Sequence, residues 1–138
     1  MNLGSQAFRG WFEAYLAAFN RGDFDGFGAY YADDVIFHGQ AAQLRGRDAV
    51  LDFYRTVRDR LDEQVELVSF VGASGGRRIA AELRTTVLAR HDWLEMPTGA
   101  MRAGDKRQSV NIVFYDLHEH QFTRVRSARL WPRPRTLR

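Results

Sequence analysis

The hydrophobic pattern of this chain changes period partway along, and that change limits what it can fold into. Up to about residue 62 the apolar residues recur at the spacing of a helix face, and beyond it they alternate with polar ones, as in a half-buried strand. Over 5–20, Phe8, Trp11, Phe12, Tyr15, Leu16 and Phe19 define one amphipathic helix, with Ser5 as N-cap and Gly22 as stop. Asp23 caps a short second helix through Phe24, Phe27, Tyr30 and Tyr31, Asp33 and Asp34 turn the chain into a short strand over 35–38, and 40–46 is a loop. A third helix over 47–62 puts Val50, Tyr54, Val57 and Leu61 on one face. Strands are expected over 64–71, 78–90, 107–117 and 122–131, the first pair joined by a glycine-rich turn. Helices first and an antiparallel meander after them make an α+β fold.

A chain of 138 residues holds one domain with one core, here 1–131, followed by a basic tail, 132–138, expected to fray. With 45% hydrophobic and 27% charged residues the composition is that of an ordinary globular protein. The absence of cysteine removes disulfides, thiol nucleophiles and Cys-zinc sites. No apolar run approaches the ~20 residues of a membrane span, and the first residues lack a leader pattern, so a cytoplasmic protein without membrane partners is expected. The pI of 9.7 suggests nucleic acid at first sight. Yet Arg133, Arg135 and Arg138 supply the excess: 20 − 3 leaves 17 basic against 17 acidic residues before the tail. A neutral body lacks the footprint that phosphate binding requires, so no nucleic-acid partner is expected.

The segments "YLAAFNRGDFDGFGAYYADDVIFHG" and "LRGRDAVLDFYRTVRDRL", in this order of elements, resemble the nuclear transport factor 2 superfamily and within it the SnoaL-like and ketosteroid-isomerase-like proteins. The resemblance implies a curved antiparallel sheet wrapped around the three helices as a cone. It also implies a largely apolar pocket at one end and a homodimer packed through the outer sheet face, for which Leu88, Val113 and Tyr115 are the candidate apolar residues. Ketosteroid isomerases move a proton beside a carbonyl with one base and two donors to the enolate oxygen. Tyr15, eight residues before Asp23 of the Gly-Asp pair, matches the donor on the first helix, and Asn111, four before Tyr115-Asp116, matches the second, with an amide in place of an acid. The base position falls on Gly39, which cannot serve.

His38 beside that gap is the first choice for proton transfer, since an imidazole titrates near neutrality, but it faces inward only if the strand bulges or slips by one residue. Asp92, where a strand runs into a Pro-Gly loop, is the second choice, with its orientation relative to His91 open. Each has a plainer alternative: a core tyrosine at Tyr15, a strand-end histidine at His38, a partnered amide at Asn111. Trp11, Phe12, Phe37, Phe53, Trp93 and Phe114 are the aromatics from which a pocket wall would be drawn. His118 and His120 supply too few ligands for a metal, and none is expected, nor another cofactor. The expected activity is acid–base proton transfer on a small apolar molecule, a carbonyl-bearing polycyclic or aromatic compound. The alternative is a non-catalytic dimeric binding or accessory protein using the same pocket.

Overall fold

In a computed structural model, which describes residues 4–130 and 135–137, Ser5–Asn20 form helix α1 with Gly4 rather than Ser5 at the N-cap. The helix stops at Gly22, whose φ of 72° lets Asp23 N–H reach back to the Ala18 carbonyl at 3.0 Å. Asp23 then caps α2 (Phe24–Gly28), its carboxylate accepting from Gly26 N–H at 2.9 Å. Strand β1 (Tyr31–His38) starts earlier than the pattern suggests, because Tyr31 is fully buried and pairs with Phe122 across the sheet. The expected loop contains a short strand, β2 (Gln43–Arg45), ahead of α3 (Arg47–Arg60). There is no linker after α3: β3 (Leu61–Gly72) begins at once, which moves residue 63 from a helix end onto a strand.

The remaining strands are β4 (Arg78–Ala89), β5 (Lys106–His118), β6 (Gln121–Arg129) and β7 (Arg135–Leu137). The tail expected to fray thus includes a strand, which pairs Lys106, Arg107 and Gln108 of β5 beyond the reach of β6. The sheet runs β2-β1-β6-β5-β4-β3, with β7 beside β5, and is curved and unclosed. All pairs are antiparallel except β1 with β6. The result is the expected α+β cone.

The core lies between α1 and the concave face and is largely aromatic. Phe12 packs on Tyr115 with ring centroids 5.1 Å apart, and Phe122 meets Tyr15, Tyr31 and Tyr115 at 5.0, 5.7 and 4.6 Å. Strand parity decides which side chains face it. On β5 the odd positions, Ser109 to Leu117, turn inward, so Val113 and Tyr115 are buried instead of lying on the outer face. Of the three residues expected there, Leu88 alone is exposed. A smaller cluster of Val57, Leu61, Val87, Ala89 and Met101 seats the β4–β5 connection against α3. Among the described residues no helix is long and apolar enough to cross a membrane.

Candidate active site

The curvature of the sheet leaves a cavity of about 190 Å³ between α1, α3 and strands β3 to β6. Its apolar wall draws on Leu16, Phe19, Phe37, Phe53, Val65 and Val113. At the end bounded by the loops stand Gln40, Met96, Thr98, Arg107 and Arg129. Arg107 donates to the carbonyls of Gly99 and Ala100 at 3.0 and 3.1 Å and so holds the β4–β5 loop over this end.

Glu63 is the carboxylate of the cavity. On β3 it shares a parity with Leu61, Val65 and Leu67, all turned toward the concave side, while Asp62, Gln64 and Glu66 point to solvent. Its Oε1 is buried with no hydrogen-bond partner among the described residues. Burial raises its pKa from 4.5 to about 7, with Arg58 offsetting part of the effect. A carboxyl poised near neutrality can both take and return a proton.

Three phenols line the cavity beside it: Tyr15 from α1, Tyr54 from α3 and Tyr115 from β5. Burial pushes all three up, so they remain protonated donors, and the Glu63 charge raises Tyr54 further. Tyr15 Oη lies 2.6 Å from Tyr31 Oη, which is wholly buried behind it. A proton donated from Tyr31 to Tyr15 leaves the Tyr15 hydrogen for an oxygen in the cavity, and the second bond polarises the first. Asn111 also lines the cavity, its Oδ1 buried and without a partner among the described residues. An unmet polar atom in such a place is costly unless a ligand answers it.

Tyr15 and Asn111 therefore converge, together with Phe37 and Phe53. His38 does not join them. Phe37 takes the inward direction, so its neighbour is exposed across from Gln43 and Arg126, and the irregularity in β1 lies earlier, between Tyr31 and Ile36. Gly39 does line the cavity, where a Cβ would stand 2.7 Å from the Phe37 ring. His91 and Asp92 are both exposed, beyond the end of β4. The Asp92 carboxylate accepts from Ala103 N–H at 2.8 Å, which braces the loop.

Four of the expected wall aromatics also lie elsewhere. Trp11 packs behind the core on Tyr30 and Phe122, and Phe12 is wholly buried beneath Tyr115. Trp93 sits under the Arg60 guanidinium at 5.3 Å, and Phe114 is on the outer face with Arg126 over its ring at 5.6 Å. The signal for Glu63 was present, an acid on the apolar parity of an alternating segment, but a helix drawn through residue 62 hides it.

The family model for a SnoaL-like domain matches residues 12–125. No curated protein matches the chain significantly. Among solved structures, a candidate polyketide cyclase from Xanthomonas campestris is 31% identical with a TM-score of 0.74, covering 88% of this chain and 89% of its own. Another from Pseudomonas putida is 26% identical with a TM-score of 0.72, covering 86% and 87%. An epoxide hydrolase from Mycobacterium tuberculosis of the LEH-like type shares the fold at 17% identity and a TM-score of 0.67, covering 86% and 79%.

Proposed function

The chain belongs to the SnoaL-like family of the nuclear transport factor 2-like superfamily, and from that premise we propose an enzyme that moves a proton beside the carbonyl of a small aromatic or polycyclic substrate. The observation that carries this reading is Glu63, a carboxyl held near pKa 7 in a largely apolar cavity with an oxygen that no group among the described residues satisfies. Glu63 takes the role expected of His38 or Asp92. In its ionised form it removes a proton from the carbon next to the carbonyl. The electron pair moves onto the carbonyl oxygen, which Tyr15 stabilises by hydrogen bonding with Tyr31 behind it; Asn111 adds a second donor through its Nδ2. The protonated Glu63 then returns the proton to the same carbon or to a neighbouring one. Likeness to candidate polyketide cyclases supports a polycyclic or aromatic substrate.

The test needs no knowledge of the natural substrate. In D₂O the protein should accelerate exchange of the α-hydrogens of 2-tetralone, followed by proton NMR, and Glu63→Gln should reduce the acceleration by about 10²–10⁴-fold. Exchange that is no faster with protein than with buffer would favour the non-catalytic binding protein, to which Gly39 at the family's base position also points.

A further inference from the structure

We infer that the loop end of the cavity is a carboxylate subsite built on Arg129, so that the substrate is an organic acid whose apolar body fills the inner cavity. The inference deepens the reading above, since it names the substrate class of the same site. Several arginines of the sheet are matched to acids, Arg78 with Asp116 and Arg84 with Glu66, and so is Arg90 just past β4, with Asp62. Arg129 and Arg107, both half-buried and both on the cavity, have no carboxylate partner among the described residues. Two partly desolvated cations at one end of the cavity attract an anion.

Arg129 is also aimed. Its Nε donates to Gln40 Oε1 at 3.2 Å, and Gln40 is itself fixed by its Nε2 donating to the Ser127 carbonyl at 2.7 Å. That use of Nε leaves the two terminal nitrogens, the edge that meets a carboxylate bidentately. Arg107 is spent on carbonyls of the loop, so it contributes potential and closure while Arg129 makes the contact. Asn111 stands directly across from Arg129 in the β5–β6 register, but its Nδ2 is given to the carbonyl oxygen, so the anion contact rests on Arg129. Glu63 lies three strands away, on β3, along the path β6-β5-β4-β3. Across the sheet Arg129 is level with Asn111, Leu83 and Leu67, so Glu63 is also four residues along β3 from that row, and an anion at Arg129 is held well apart from the Glu63 carboxylate.

Binding separates the possibilities. Titration calorimetry at pH 8 with 2-naphthoate and with its methyl ester compares one shape with and without charge. The acid should bind about 10- to 100-fold more tightly than the ester, the range for a charged hydrogen-bonded contact. Arg129→Gln should remove the difference between them and Arg129→Lys should restore part of it, because a lysine keeps the charge but not the fork. Equal affinities in the native protein would overturn the subsite, and so would a preference that survives Arg129→Gln. Neither result touches the tetralone exchange, which judges the proton-transfer reading by itself, whereas failure of both probes to bind overturns the subsite and the ligand cavity together.

Discussion

Two hydroxyls 2.6 Å apart have different tasks. Tyr15 lines the cavity and Tyr31 does not, so a ligand oxygen meets Tyr15 while Tyr31 acts through it. Tyr15→Phe should therefore cost about 10²–10³-fold in tetralone exchange, the range for losing an oxyanion donor. Tyr31→Phe should cost clearly less, since Tyr15 keeps its proton but loses polarisation. Equal losses with unchanged near-ultraviolet circular dichroism would contradict this division of roles. Glu63 differs from both, because it changes charge during the reaction. Its pKa near 7 should appear as the acidic limb of the kcat/KM profile of exchange, with activity rising as pH passes through that value.

At the scale of elements, the position of Glu63 depends on how an edge strand is held. β3 pairs with β4 alone, and its other edge faces the C-terminal end of α1. Asn20 there behaves as a fragment of strand: its Nδ2 donates to the Val65 carbonyl at 2.8 Å and its Oδ1 accepts from Val65 N–H at 2.7 Å. Gln64 returns a bond to the Asn20 carbonyl at 3.0 Å. One side chain thus closes an edge and fixes β3 two residues from the carboxylate. Asn20→Ala should destabilise the protein by about 1–3 kcal/mol in urea unfolding, since both Val65 groups lose their partner. Asn20→Asp, which keeps the acceptor alone, should fall between them. Such a contact has no local signature, for its partners are 45 residues apart. The helix α1 itself was legible, because six apolar residues at helical spacing suffice to mark it.

For the whole molecule, a carboxyl whose folded pKa exceeds its unfolded one makes stability fall as pH rises. Between 4.5 and about 7 the unfolded chain has released the Glu63 proton and the folded one still holds it. The group is therefore no burden below 4.5 and its full cost is present above 7. Glu63→Gln should gain stability relative to the native protein between pH 4.5 and pH 8, by up to about 3 kcal/mol, measured by denaturant unfolding at each pH. A difference that does not change with pH would show that the carboxyl is not held as described. What the sequence determined by itself was the periodic part: helices before strands, the stop at Gly22, the cap at Asp23, and the inward parity that makes Ile79 to Val87 a half-buried strand. These follow from neighbours a few residues apart, whose side chains are arranged by the backbone geometry of a helix or strand. Its resemblance to a family also brought Tyr15 and Asn111 to the cavity. Only the tertiary structure decided that Phe37 rather than His38 turns inward, that Asp92 braces a loop, and that Glu63 and Arg129 face the cavity from different strands. Burial and charge at a point depend on everything packed around it, and those groups come from parts of the chain that no local period connects.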